Sequence, residues 1–308
     1  MIVLVRPQSY IVINEARSGS SWLQEISQMH PGVRVQFELD LARGDDALQC
    51  RQCSRPHVPD SKRAQSAPPR LHPPLACGLT MFGSANRVDD VATLASKHGA
   101  VLLVLLRINH VAHAISLYRH SRRSINQPPE LAFLLKRRAS DTTDSAADQA
   151  AAAAAADTAP VPWGAGELWR AVEESRGAYA RLLGFPAAAG RPAHLLFYED
   201  LKRDPAAVWA ALQRFLGLPP TPSGPDAGRL AALERRSSDR PAILYLERLG
   251  ELQAELGGEE WADMLLNPLY DNAVDAADAF AEACRLQPSA SLSWRGAASC
   301  AAAPAAPA

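Results

Sequence analysis

"EARSGSSWLQEI" (residues 15–26) sets Arg17, Ser18, Gly19, Ser20 and Ser21 between an apolar run, "YIVIN" (10–14), and a stretch with helical periodicity. The run is rich in β-branched residues, the pattern of a strand buried on both faces. Beyond the turn, Trp22, Leu23, Ile26 and Met29 recur at helical spacing until "HPG" (30–32) stops the helix. A strand–turn–helix unit leaves backbone N–H groups at the helix start without intrahelical partners, and these point at whatever lies in the turn. Gly19 lets the backbone approach closely, Ser20 and Ser21 add hydroxyls, and Arg17 adds a fixed cation with a fork of N–H donors. The combination suits a phosphate or a sulfate. A tight turn with a serine helix cap accounts for the same residues, so the turn alone leaves both readings open.

Working outward, "VRVQFEL" (33–39) reads as a second extended piece and "LTMFG" (79–83) as another strand. "VDDVATLASKHG" (88–99) is a helix closed by Gly99. "AVLLVLL" (100–106) is a central parallel strand ending at Arg107, and "VAHAISLYRHSRR" (111–123) places Val111, Ala114, Ile115 and Tyr118 on one helical face. "ELWRAVEESRGAYARLLG" (167–184) is an amphipathic helix, and "HLLFYEDL" (194–201) is a strand that runs into a helix cap. "DPAAVWAALQRFLGLP" (204–219) carries Val208, Trp209, Leu212, Phe215 and Leu216 along one stripe, and residues 243–256 form a leucine-rich helix. Strands alternating with helices define an α/β fold: a P-loop-like, three-layer arrangement with a central parallel sheet flanked by helices. One domain over residues 1–285 is expected. Segments 42–76 and 139–160 read as loop or low-complexity insertions, and 286–308 as a mobile tail.

The chain has 308 residues, 47% of them hydrophobic, and a formal net charge of -1. That balance argues against a nucleic-acid binder, which concentrates Lys and Arg. No apolar run approaches the ~20 residues needed to span a bilayer. The N-terminus "MIVLVRPQSYIVIN" has an arginine inside its apolar stretch and reads poorly as a signal peptide. Five sparse cysteines fit a reducing compartment better than a disulfide framework. A cytoplasmic or otherwise soluble location is the expectation, with the Golgi open if the N-terminus is incomplete. "CRQC" (50–53), with His57 and His72 nearby, has a spacing zinc can use, yet lacks a second close pair. No metal is expected. The basic loop residues Arg43, Arg51, Arg55, Lys62, Arg63 and Arg70 fit a solvated surface or a lid for an anionic acceptor.

A second unit repeats the pattern of the first. "LLRINHVAHAISLYR" (105–119) again puts an arginine, Arg107, at a strand's carboxyl end, with Ser116 about two and a half helical turns further on. Ligands of doubly wound sheets sit beyond the carboxyl ends of the strands, so Arg17 and Arg107 would face one crevice and a ligand with phosphates at both ends would bridge them. Here the chain resembles the sulfotransferases that use 3′-phosphoadenosine-5′-phosphosulfate (PAPS). "RSGSSWLQEI" is similar to that family's 5′-phosphosulfate loop, often KSGTTW, and "LLRINHVAHAISLYR" to its 3′-phosphate segment. "YEDLKRDPAAVWAALQRFLGLP" resembles its Y-E-D-L, D-P, F-L-G-L-P run, and "ILYLERLGELQAELGGEEW" more faintly a C-terminal helix of sugar-modifying members.

The resemblance implies a PAPS-dependent sulfotransferase acting on a hydroxyl or amine, of a carbohydrate rather than a small phenol. It puts Arg17 in the place of the usual lysine, on the bridging and sulfuryl oxygens. Ser18, Gly19, Ser20 and Ser21 would hold the 5′-phosphate, Trp22 would stack on adenine or serve as a core residue, and Arg107 and Ser116 would hold the 3′-phosphate. Glu38 is the candidate general base, in the place where sugar-acting members carry a glutamate; burial would have to raise its pKa. The strand "GLTMFGS" lacks the lysine and histidine that other members carry, and Arg107 is offset by one position from the family pattern. Two other classes stay open: a P-loop nucleotide kinase-like phosphotransferase, against which the missing GK[ST] and magnesium carboxylate count, and a catalytically inactive nucleotide-binding member of the fold.

Overall fold

The computed structural model describes residues 8–15, 18–28, 30, 32–36, 75–83, 86–126, 160–220, 245–256, 276–295 and 300. Six strands form one parallel sheet: β1 (Gln8–Asn14), β2 (Val33–Gln36), β3 (Ala76–Phe82), β4 (Val101–Leu106), β5 (Ala193–Phe197) and β6 (Leu292–Ser293), in the order β2-β3-β1-β4-β5-β6. Every pairing is parallel. The described helices are α1 (Ser20–Gln28), α2 (Val88–His98), α3 (His110–Asn126), α4 (Ala165–Ala189), α5 (Tyr198–Arg203), α6 (Pro205–Phe215), α7 (Leu249–Leu256) and α8 (Ala276–Leu286). The chain divides into two compact units. The first comprises residues 1–108, 178–237 and 275–308, the second 109–177 and 238–274. Segments 42–74 and 139–159 of the expected insertions lie outside the described residues.

The first unit contains the sheet, and its strands are apolar on both faces because each face is covered. Ile11, Ile13, Leu102, Val104, Leu106, Leu195 and Phe197 point to one side, where they pack with Val91, Leu94 and Ala95 of α2 and with Leu182, Leu183 and Phe185 of α4. Tyr10, Val12, Leu103, Leu105 and Leu196 point to the other, against Trp22, Leu23 and Ile26 of α1 and Val208, Trp209 and Leu212 of α6. The alternation is the period-2 geometry of a strand, and two covered faces make three layers. Each buried leucine contributes about 1.5–3 kcal/mol of transfer free energy. Gly78 on β3 admits the Tyr10 ring from the neighbouring strand: a Cβ at Gly78 would lie 2.0 Å from Tyr10 Cζ. Burial holds the Tyr10 phenol well above the ordinary tyrosine range.

The stretch expected as a tail contains β6, which pairs with β5 through Ala193↔Leu292 and His194↔Ser293. Leu292 is fully buried. Beyond it, Trp294 Nε1 and the Arg295 guanidinium both donate to the buried Asp200 carboxylate, at 2.8 Å and 2.5 Å. Cys284 and Cys300 form a disulfide that brackets this segment, and Cys77 is also disulfide-bonded. The expectation of reduced thiols is therefore corrected. Cysteine count and spacing carry no information about tertiary approach, and here the fold brings the two Cα atoms to 5.3 Å.

The second unit is built on Val111, Ile115, Val161, Leu168, Val172, Leu246, Leu252 and Leu256, drawn from α3, the first half of α4, α7 and a short parallel bridge between Val161 and Leu246. Tyr118 meets Trp163 edge-on at 5.0 Å, and Arg119 lies 4.1 Å above the Tyr245 ring. Among the described residues no helix is long and apolar enough to cross a membrane.

His194 ties β5 to β6: its Nδ1 is 2.9 Å from Ser293 Oγ, and its ring stacks on Phe215. Burial first, then the nearby Arg214, lowers its pKa from 6.5 to about 4. An unfolded chain binds this proton more readily than the native one, so the stability is complete above pH 6.5 and is lost as pH falls towards 4. Chemical denaturation at pH 7 and pH 4.5 should show the wild type losing on the order of 2–3 kcal/mol from this group. His194→Gln should flatten that part of the profile; an unchanged profile would remove His194 as a source of acid sensitivity.

Candidate functional site

The parallel register decides which side chains leave the sheet together. Asn14 lies opposite Leu105, and Leu106 lies opposite Phe197. The segments that follow β1, β4 and β5 therefore emerge side by side at the carboxyl edge, bringing the Gly19 turn, Arg107 and Tyr198 into one neighbourhood of the first unit.

The turn after β1 is fixed by its own polar groups. The Ser18 N–H and hydroxyl both donate to the Glu15 carbonyl, at 3.3 Å and 2.7 Å, and the Asn14 amide donates to the same oxygen at 3.0 Å. Ser18 is buried, with its hydroxyl proton committed to the backbone. Trp22 and Leu23 N–H donate to the Gly19 carbonyl at 3.0 Å each, the first bonds of α1. The N–H groups of Ser20 and Ser21, one step earlier, are those that a helix start directs outward, where an anion is favoured.

Gly19 sits at φ +98°, a conformation that side chains rarely adopt, and a Cβ there would lie 2.6 Å from Tyr198 Cδ2. The aromatic ring thus packs directly on the turn. The same ring carries the Arg107 guanidinium, 4.5 Å from its centroid, and meets the Trp22 ring at 6.1 Å. Planar guanidinium over an aromatic face is a favourable contact that orients the side chain. Both carboxylate oxygens of Glu199 lie 3.1 Å from the Ile108 N–H, which fixes the backbone immediately after Arg107. Tyr179 stays a neutral phenol: burial, then the charges of Glu199 and Glu282, push its pKa above the usual tyrosine range.

Gly19, Ser20, the backbone of Ser21, and Arg107 belong to this neighbourhood. Trp22 is a buried member of the core between α1 and α6. Ser116 is half-buried on α3, in the second unit. Arg17 and Glu38 lie outside the described residues, as do His57, His72 and the CRQC segment. Among the described residues no group of three or more His, Cys, Asp or Glu side chains could hold a metal.

Sequence reasoning assigned Tyr198, Glu199 and Asp200 to a strand end and helix cap. Instead each reaches a different element: the Gly19 turn and Arg107, the Ile108 backbone, and the Trp294–Arg295 segment respectively. The capping carboxylate is Asp204, which accepts from Ala207 N–H at 2.9 Å and opens α6. The signal available in the sequence was an acidic pair placed directly after an apolar strand, where side chains fall at the sheet edge. In the second unit, His113 and His110 both approach the Ser175 hydroxyl, at 2.8 Å and 3.2 Å. Burial, Arg176 and His113 lower the His110 pKa to about 4, which keeps that imidazole neutral at physiological pH.

No family model matches the chain, and no curated protein matches it in sequence. Among solved structures, a mouse sulfotransferase, SULT7A1, complexed with PAP aligns with a TM-score of 0.37 and 12% identity, over 92% of this chain and 85% of that one.

Gly19→Ala should be costly on two counts, the positive φ and the collision with Tyr198. We expect a loss of about 1–3 kcal/mol in urea unfolding. A variant as stable as the wild type would show that the ring does not pack on the turn.

Proposed function

We propose that this chain is a PAPS-dependent sulfotransferase that transfers a sulfuryl group to a hydroxyl or amine of an acceptor, a carbohydrate in preference to a small phenol. The observation that carries the reading is the arrangement at the carboxyl edge of the sheet. A glycine turn opening a helix and an arginine ending the adjacent parallel strand share one aromatic ring between them. Two anion-seeking elements held at neighbouring strand ends suit a nucleotide with phosphate on both sides of its ribose. The sequence resemblance supplies the same pairing independently of the coordinates.

The reading is supported by the turn itself, which opens a helix at Ser20 and carries a glycine at φ +98°. PAPS would supply an activated sulfuryl group, in a transfer that resembles phosphoryl transfer without requiring a metal. The N–H groups of Ser20 and Ser21 would hold the 5′-phosphate and Arg107 the 3′-phosphate. Arg17 would neutralise charge that develops on the leaving phosphate. Glu38 would take the acceptor's proton, a contribution typically of 10²–10⁴ in rate. An acceptor of the carbohydrate class follows from the resemblance of the Glu38 stretch to that of sugar-acting members. The disulfides at Cys77 and at Cys284–Cys300 favour an oxidising compartment for the working protein.

Calorimetric titration with adenosine 3′,5′-bisphosphate tests the nucleotide half of the reading. The wild type should bind, and Arg107→Ala should weaken binding at least about 10-fold, the scale of a lost charge-assisted contact. No heat with the wild type would overturn the assignment. Transfer of labelled sulfuryl from PAPS to a panel of glycans, phenols and lipids tests the chemistry. Glu38→Gln should bind the bisphosphate normally and lose transfer by about 100-fold or more. Magnesium-dependent ATP turnover with no transfer from PAPS would instead identify a phosphotransferase.

A further inference from the structure

In the second unit, α3 and the first half of α4 meet along an apolar seam that contains a polar cluster. Leu168 and Val172 of α4 pack with Val111 and Ile115 of α3. Ser175 continues the α4 stripe at helical spacing, where an aliphatic side chain would complete the pattern. Its Oγ lies 2.8 Å from His113 Nδ1 and 3.2 Å from His110 Nδ1. The two histidines stand one turn apart on α3, and both His113 and Ser175 are almost fully buried.

One hydroxyl holds two rings only with a definite arrangement of protons. Ser27 returns its hydroxyl proton to the Leu23 carbonyl of its own helix, at 2.8 Å. Ser175 does not: among the described residues its hydroxyl hydrogen-bonds to the two imidazoles alone. A neutral imidazole carries one N–H and one bare nitrogen, so Oγ donates to one Nδ1 and accepts from the other. The rings are thereby fixed in opposite tautomers. A proton added to the accepting Nδ1 takes away the hydroxyl's acceptor, and one added at the far nitrogen of either ring places a cation inside the seam.

We propose that the His110–Ser175–His113 bridge is a pH-sensitive clamp, which holds α3 against α4 while both imidazoles are neutral and releases α3 when they take up protons. This stands apart from the nucleotide reading and requires no ligand. The charges set against His110 are Arg176 of α4 and, once protonated, His113 of its own helix; Arg176 also pairs with Glu173 at 3.1 Å on the exposed side. Burial first, then Arg176 and His113, lower the His110 pKa from 6.5 to about 4. The folded unit therefore binds this proton less readily than the opened one. The clamp is complete above pH 6.5 and weakens as pH falls towards 4.

Hydrogen exchange followed by NMR on the full-length chain tests this, with α3 protection corrected for intrinsic rate and referred to β4 in the same sample. Wild-type α3 should lose protection about 20-fold between pH 7 and pH 5, the ratio that a fall in pKa from 6.5 to about 4 dictates. Imidazole nitrogen shifts at pH 7.5 should show His110 and His113 in opposite tautomers. Ser175→Ala should lower α3 protection at pH 7 at least about 5-fold, the scale of a lost buried hydrogen bond. His110→Gln, which does not titrate, should flatten the acid response; it serves alone if the alanine variant fails to fold.

Wild-type α3 protection that stays constant from pH 7 to pH 5 would overturn the proposal, as would two rings in the same tautomer. So would undiminished protection in Ser175→Ala at pH 7, which would remove the hydroxyl from the clamp, or a full acid response in His110→Gln, which would assign the sensitivity to another group.

Discussion

The Tyr198 ring is the contact on which the site depends. It stands between a turn that has no side chain, Gly19, and a guanidinium that has a long one, Arg107. The ring thereby touches both the segment after β1 and the segment after β4. The ring can occupy that position only because β5 pairs with β4 in a register that places Phe197 opposite Leu106. Register in turn follows from burial on both faces, since a one-residue slip would carry every inward side chain to the opposite core. The chain of dependence runs from β-branched and leucine-rich strands, through parallel pairing, to the spacing of two cationic or anion-seeking elements.

Electrostatics at this edge are arranged by orientation more than by number of charges. The helix start contributes outward N–H groups, and Arg107 contributes a guanidinium held flat. Two carboxylates of α5 accept from donors of other elements: Glu199 from the Ile108 N–H, and Asp200 from Trp294 and Arg295. Ser18 illustrates the same economy in reverse, because its hydroxyl is committed to the Glu15 carbonyl and shapes the turn from inside.

Much of the fold was legible in the residues. "YIVIN" and "AVLLVLL" read as fully covered strands, the helix from Val88 ended at Gly99, and the stretch read as a helix over 204–219 forms α6. Two things were not legible. Leu292–Ser293 joins the sheet from an Ala- and Ser-rich stretch in which no periodicity announces a strand; pairing with β5 and the anchors at Asp200 and Cys284 supply what local propensity does not. The disulfide was invisible for the same reason, since proximity in space is not encoded in spacing along the chain. At the site, Gly19 and Arg107 could be named from their positions at strand ends, whereas the role of Tyr198 required the register that sets its ring beneath the guanidinium.

A crystal structure of the chain with adenosine 3′,5′-bisphosphate would examine the central claim most directly. One phosphate should lie within hydrogen-bonding distance of the Ser20 and Ser21 N–H groups, and the other on the edge of an Arg107 guanidinium still stacked on Tyr198. A ligand bound away from the carboxyl edge of β1 and β4, or an Arg107 that turns from both ring and phosphate, would contradict the account.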